Sequence, residues 1–533
     1  MDIKKFSNPQ KFLLPLVVCL ILLVLASLLG DYVSSRFPLS KQALVEGLLG
    51  SHPPSVFNVK DFGTVGDGIT NDAPAINTLL SSISAGDSIY FPNGRYRLGQ
   101  NLFPPSDSTV FGESDAAVLL PDADASAPVN HPIWIKGKNN VVVHDLQIDC
   151  QDPTIAARAA VMLTDGSSFV TIQNMYIRRC GQYAIGAGDN QKSPPYFGGL
   201  HGIQILNNRI DMTGVTYPTA IGIEVLPKGS GPYNSNPGII VADNSVIADA
   251  ASNGIKVNNQ SGARITGNYV TSRGVSGSVS AINLGTSENS VISGNTVIGG
   301  ISGIVVSGAI GNVPNGARNH NIILNDNIIN NSSYAGIWSP DGFDGLTIHQ
   351  NAILSSGTGG SGIRLNPASS NGHNFTNLII DLNSIKGFAL GIYIPEIAGL
   401  NAPGAIIRQN AITSPYALAI QASGPDIQVL QNNIIKTGTS GLQITGTRAT
   451  ASNNSITDSN TRGVAGQAGL IFLSGDNSLI NGNVVLNSVD GPGKMDWGVV
   501  LNKTCNENLT GNSFINMRQG EVRHLNQPAE CPL

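Results

Sequence analysis

Nine residues at one offset of a recurring phrase carry most of the chemistry this sequence offers: Glu224, Lys256, Asn283, Val305, Trp338, Arg364, Tyr393, Gln421 and Gln443. The phrase is usually Gly-Ile-x-[Val/Leu/Ile], as in Gly222-Ile-Glu-Val, Gly254-Ile-Lys-Val, Gly303-Ile-Val-Val, Gly362-Ile-Arg-Leu, Gly391-Ile-Tyr-Ile and Gly441-Leu-Gln-Ile. In an extended chain the apolar residues flanking x point inward, so x faces out. Trp338, Arg364 and Tyr393 then fall on three consecutive units. Flat rings stack on sugars, and a guanidinium pairs with hydroxyls or a uronate carboxylate. Asn283 and Gln421 add amides to the same column. Asp341 and Glu396 share an offset two units apart, roughly 10 Å along a stack. That is near the upper end of the ~6.5–9.5 Å between the carboxylates of inverting glycosidases.

A second cluster lies nearer the N-terminus. Glu224 and Lys256 are neighbours in the column, and Asp189, His201, Tyr183, Arg178 and Arg179 are close in unit terms. Removing a proton beside a uronate carboxylate takes a base, for which Lys256 or His201 is suitable. It also takes a cation on the carboxylate, Arg178 or Arg364. Blander readings stand beside these. Exposed aromatics also occur under covering loops, a Glu–Lys pair is often a surface contact of little energetic value, and His201 near Gly199 and Gly202 suits a turn.

The elements that must position this column are repeated. Asparagines 174, 208, 244, 268, 295, 327, 351, 383, 410, 433, 454, 483 and 512 recur at intervals of 21 to 36 residues, mostly as Asn-x-[Ile/Val/Phe]. Between them lie short alternating segments and Gly/Asn turns with no helical period. Variable intervals suit an all-β solenoid whose turns carry insertions, and a propeller would need about 40–50 residues per blade. The reading is a parallel β-helix, thirteen coils rising roughly 58 Å at about 4.8 Å each. One asparagine per coil would build an amide ladder inside it. The insertions after the Gly-Ile strands (188–200, 226–238, 308–320, 339–345, 366–376 and 395–404) would wall one face. Cys150 and Cys180 fall on neighbouring coils, as a disulfide or as two free thiols, and Cys505 and Cys531 could staple the end.

The stretch Val56-Phe-Asn-Val-Lys-Asp61-Phe-Gly-Thr-Val-Gly66-Asp67-Gly68-Ile-Thr-Asn-Asp72, followed by Ala75-Ile76 and Ile89-Tyr-Phe-Pro92-Asn-Gly94-Arg-Tyr96, resembles the N-terminal segment of the pectate-lyase-like superfamily. The resemblance implies a right-handed β-helix, opened by a cap of a strand, a short helix and the first coil. It also implies a choice among lyases, hydrolases, epimerases and phage tailspikes. Asp67 and Asp72 read as turn and helix-start residues. The catalytic signatures of particular branches are missing. Asp152-Pro153 is followed by Thr154 rather than His, and neither an Asp-Asp pair nor Gly-His-Gly is present.

Composition bounds the rest. Of 533 residues only 12% are charged and the net charge is −5, so the basic surplus needed for nucleic acid is absent. Lys4, Lys5 and Lys11 precede an uncharged run from Phe12 to Gly30. Its 19 residues suit a transmembrane signal anchor or a removed signal peptide, and either one exports the rest of the chain. The expected organisation is a basic n-region 1–11, the membrane segment 12–30, a linker 31–54, the β-helix 55–525 and a tail 526–533. No cofactor is expected and no metal site stands out, scattered loop Asp and Asn being weak calcium ligands. The functional expectation is an exported protein acting on an acidic polysaccharide, by elimination or else hydrolysis. The alternative is a non-catalytic glycan-binding scaffold.

Overall fold

The computed structural model describes residues 54–122, 129–152, 159–188, 200–215, 220–226, 238–249, 253–258, 261–273, 280–308, 319–366, 373–397, 399–488 and 494–528. The proposed membrane segment lies outside them. No helix among the described residues is long and apolar enough to cross a membrane.

From Val56 onward the chain is an all-β parallel stack. A typical coil has three short strands, Asp344–His349, Ala352–Leu354 and Ser361–Leu365. The next coil repeats them as Thr376–Asp381, Ser384–Lys386 and Leu390–Ile394. Pairing is coil on coil and parallel, with Leu346 on Leu378, Ile353 on Ile385 and Ile363 on Ile392. Three sheets result, called here first, second and third in chain order within a coil. The first has 17 strands and the third 15 among the described residues. The inward positions stack like on like and form one continuous core, in which Ile348, Ile353, Ile363, Ile380, Ile385 and Ile392 are buried. β-Branched side chains fit this because their restricted rotamers repeat without clash from coil to coil. At the N-terminal end the helix Ala73–Ser82 buries Ala73, Ile76, Leu79 and Leu80 in the same core.

The Asp67 and Asp72 expectations hold with one change. Asp67 accepts from the backbone N–H groups of Ile69 and Thr70, which hold its carboxyl below the ordinary value. Asp72 stands at the helix start but makes no capping bond there. Its carboxylate instead takes the N–H groups of Val65 and Gly66, bracing the preceding turn.

The asparagine ladder is present at the corner between the first and second sheets. Its rungs are Asn208, Asn244, Asn268, Asn295, Asn327, Asn351, Asn383, Asn410, Asn432, Asn454, Asn483 and Asn512. Each rung's Oδ1 accepts both the backbone N–H and the Nδ2 of the rung before, as Asn383 does from Asn351 at 2.9 Å each. Each Nδ2 also reaches a carbonyl one coil back, as Asn351 does to Leu324 at 3.0 Å. Two expected rungs are off by one residue. Asn174 sits in a turn at φ 52°, and Met175 occupies the ladder position and donates to Asn208 Oδ1. Asn433 is an exposed strand residue, and Asn432 is the rung.

The glycine of the Gly-Ile phrase has a steric cause. At each such position the backbone approaches a core side chain of the next coil's second sheet. A Cβ on Gly336 would lie 2.2 Å from Ile353 Cγ2 and 2.7 Å from the Gly362 carbonyl. Gly336→Ala should therefore overpack this corner and cost about 1–3 kcal/mol, read as a lower urea midpoint.

Cys150 and Cys180 form a disulfide across adjacent coils, with Cα atoms 4.9 Å apart. Cys505 is also disulfide-bonded, and Cys531 lies outside the described residues.

Candidate functional site

The third sheet pairs Glu224 with Lys256, then Asn283, Val305, Trp338, Arg364, Tyr393, Gln421 and Gln443, in the expected register. The flanking Ile and Val residues are in the core, so this column faces outward.

Its centre is an aromatic cradle around Arg364. The guanidinium carbon lies 4.7 Å from the Tyr334 ring centroid and 4.8 Å from that of Tyr393. Tyr334 meets Trp338 edge-on at 5.3 Å, and Trp338 Nε1 donates to Asn366 Oδ1 at 2.9 Å. The rings fix the guanidinium plane by cation–π attraction while leaving its N–H groups to other partners. Arg364 makes no ion pair among the described residues, and its buried Nε has no hydrogen-bond partner. A charged fork held in place without a carboxylate is suited to take one from a ligand.

The sequence reading missed Tyr334 and Asn366. Asn366 lies two residues beyond Arg364 on the same strand line, so strand parity could have found it. Tyr334 precedes its Gly-Ile phrase in a turn, where no period points.

The two carboxylates differ. Asp341 is buried, and burial pushes its carboxyl above the ordinary value, only partly offset by the Gly308 N–H donating to Oδ2 at 2.8 Å. That bond turns Asp341 toward the preceding coil. Glu396 is exposed, on the coil two strands beyond. The shared offset survives, but the two groups face different surroundings.

Of the N-terminal cluster only part assembles. Lys256 Nζ and Glu224 Oε1 are 3.1 Å apart with side chains 19% and 10% exposed, a half-buried pair rather than a surface one. Beside them Asn283 is buried, and its Oδ1 has no partner among the described residues. Tyr183 lies earlier on the same sheet, packed with Met162 and Ile221. Arg178 and Arg179 are elsewhere, on or just beyond the second sheet, forked onto Asp149. Burial pushes the Asp149 carboxyl up, but the Arg179 hydrogen bond, the Gln151 N–H and both guanidinium charges outweigh it and hold it low. His201 bridges to Ser168 on the first-sheet side and meets Phe169 edge-on at 4.8 Å. These three are therefore not partners for Lys256, because their units place them on other faces of the coil. Asp189 and most of the insertions read as groove walls lie outside the described residues. Among the described residues no group of three or more His, Cys, Asp or Glu converges as a metal would need.

Comparison with known proteins follows the same lines. A family model described as rhamnogalacturonase A/epimerase, pectate lyase-like, matches residues 56–130. A second, the right handed beta helix region, matches residues 390–526. The mannuronan C5-epimerase AlgE1 of Azotobacter vinelandii is 38% identical over 80 residues, 14% of this chain and 6% of that protein. The pre-neck appendage protein of Bacillus phage B103 is 29% identical over 101 residues, 18% of this chain and 11% of that protein. The chain thus spans a small part of the curated relatives it matches. Among solved structures, the AlgE6 A-module of Azotobacter vinelandii aligns over 87% of this chain and 99% of its own, at 14% identity and TM-score 0.37. The family 28 exopolygalacturonase of Yersinia enterocolitica aligns over 87% of this chain and 78% of its own, at 12% identity and TM-score 0.36. The chain is a right-handed parallel β-helix protein that opens with a pectate-lyase-like segment.

Proposed function

We propose that this protein acts on an acidic polysaccharide laid along the outward column of the third sheet, cleaving it by elimination beside a uronate held at Arg364. The observation carrying this reading is the Arg364 guanidinium, fixed between Tyr334 and Tyr393 with no carboxylate on it among the described residues. The named relatives lend the substrate class, since one is a mannuronan epimerase. In this reading Arg364 neutralises the sugar carboxylate, which acidifies the proton beside it. Glu396 takes that proton, a carbon–carbon double bond forms, and the glycosidic oxygen leaves with a proton from Asp341. Trp338 supports the sugar face, and Gln421 continues the column. Only side chains take part, and no cofactor is invoked. The uncharged run 12–30 supports export, with the β-helix on the far side of the membrane, and external protease should then reach it in intact cells.

Hydrolysis is the second reading, favoured by Asp341, whose raised pKa fits a general acid. The test is incubation of residues 52–533 with a panel of uronate polymers, followed by both ultraviolet absorbance and reducing ends. Elimination yields both signals, hydrolysis only reducing ends, and retained binding with neither signal means a scaffold.

A pH dependence follows from Asp341 in either reaction. Its proton is present below the raised pKa and lost as pH rises through it. Turnover should therefore fall on that alkaline limb, as a pH–rate profile would show. Burying the ionised form is unfavourable, so above that limb Asp341→Asn should leave stability equal or higher, as thermal melts across pH would show.

A further inference from the structure

The first sheet carries a second constellation, on a different face of the coil from the Arg364 cradle. His349, Asp381 and Arg408 occupy one outward column on three consecutive coils. His349 Nδ1 meets Asp381 Oδ1 at 2.7 Å, and Arg408 places Nη2 and Nε at 3.1 and 3.3 Å from Oδ2. Asp381 is buried, while the side chains of His349 and Arg408 are 32% and 46% exposed. The carboxylate is therefore consumed in orienting the two groups beside it, and each keeps an open end. His349 Nε2 has no partner among the described residues, nor has Arg408 Nη1. Arg408 spends its Nε side on Asp381, which leaves the Nη1/Nη2 edge, the edge that matches a carboxylate bidentately.

Asn325 precedes His349 in the column, with its Nδ2 bonded to Asp326 and its Oδ1 closed off from the surface. Alongside runs an uncharged line of Ile323, Thr347, Ile379 and Ile406. The other His–Asp pairs of this sheet are built differently. His144 meets its chain neighbour Asp145 rather than a residue of the next coil. His320 reaches Asp344 through Nε2, and Asp344 is already held by Thr376 and Asn377. An oriented imidazole, a guanidinium edge and an apolar flank together match a hydroxylated, carboxylate-bearing ring.

We propose that His349 and Arg408 form a second binding site for a uronic acid residue, separate from the third-sheet column. Arg408 takes the carboxylate on the edge away from Asp381, His349 Nε2 takes a hydroxyl, and Ile379 and Ile406 meet the ring's apolar face. The choice of uronate rests on the acidic-polysaccharide reading, whereas the site itself rests on this geometry. A polymer held at two faces of one coil stack gains effective concentration at each.

The test uses the full chain, a short oligogalacturonate and a short oligoalginate, with neutral glucan oligomers as control. Calorimetry should find oligouronate binding that survives Arg364→Gln. In that background Arg408→Gln or His349→Gln should weaken it at least about tenfold, with thermal melts showing that each variant is still folded at the temperature of the titration. Imidazole 1H–15N spectra should show the His349 signals moving with oligouronate and not with glucan. Loss of all binding in Arg364→Gln, or still His349 signals and unchanged isotherms in both first-sheet variants, overturns this site. If Arg364→Gln has no effect on binding or turnover while Arg408→Gln abolishes binding, the second site stands and the Arg364 reading fails.

Discussion

Asn432→Ala should lower stability by roughly 2–4 kcal/mol, and Asn433→Ala next to it by less than about 0.5 kcal/mol. Asn432 Oδ1 is the acceptor for both the backbone N–H and the Nδ2 of Asn410, at 3.0 Å each. Its own Nδ2 reaches the Ile407 carbonyl at 2.9 Å and Asn454 Oδ1 at 3.0 Å. Alanine leaves the Asn410 backbone N–H without its acceptor at a site closed to water, costing about 1–3 kcal/mol before relaxation. It also removes one bond from the Ile407 carbonyl and one from Asn410 Nδ2, which keeps the Ile380 and Arg408 carbonyls. Asn433 is exposed and carries only strand backbone bonds, so its truncation removes nothing buried. Urea midpoints of the two variants decide the matter. Equal midpoints would mean that the ladder contributes no stability at this corner.

The same pair shows what the sequence could and could not specify. Asn432-Asn-Ile-Ile satisfies the Asn-x-Ile phrase in either register, so the letters cannot choose between two adjacent asparagines. Packing chooses, because Ile434 is the buried residue and the rung must stand two positions before it. Asn174 failed by the same rule, since the core residue Ile177 lies three positions on. The outward column was legible to the residue, because strand parity is rigid and the Gly-Ile phrase marks each coil. The surroundings of that column were not. Whether Glu224 and Lys256 are exposed, which way Asp341 turns and what encloses Arg364 depend on turns of irregular length. Unit counting also misled for Arg178, Arg179 and His201: closeness along the axis says nothing about which of three faces a side chain leaves from. The His349–Asp381–Arg408 column also went unread. Its strands carry no glycine phrase, but each member stands two residues before asparagine 351, 383 or 410, so the asparagine series aligned the three coils and the column could have been read from it.

Arg364→Lys should reduce kcat/KM on a uronate polymer by about ten- to a hundredfold, equivalent to roughly 1.4–2.8 kcal/mol of lost transition-state binding. The lysine keeps the charge but loses the planar fork and its stacking between Tyr334 and Tyr393. Stability should change far less, because each cation–π contact is worth about 0.5–1 kcal/mol at a partly exposed position, and an ammonium retains part of it. Tyr334→Leu tests the cradle from the other side. With one wall gone the guanidinium is present but no longer held, so the loss should appear on the charged polymer and not in neutral glucan binding. Asp341→Asn and Glu396→Gln should abolish turnover and leave binding nearly intact, since neither holds the sugar in this reading. The opposite pattern relocates the site. If Arg364→Lys, Asp341→Asn and Glu396→Gln all keep full activity while Glu224→Gln or Lys256→Ala loses it, the chemistry belongs to the half-buried Glu224–Lys256 pair. Arg364 would then be a structural cation held by two tyrosines.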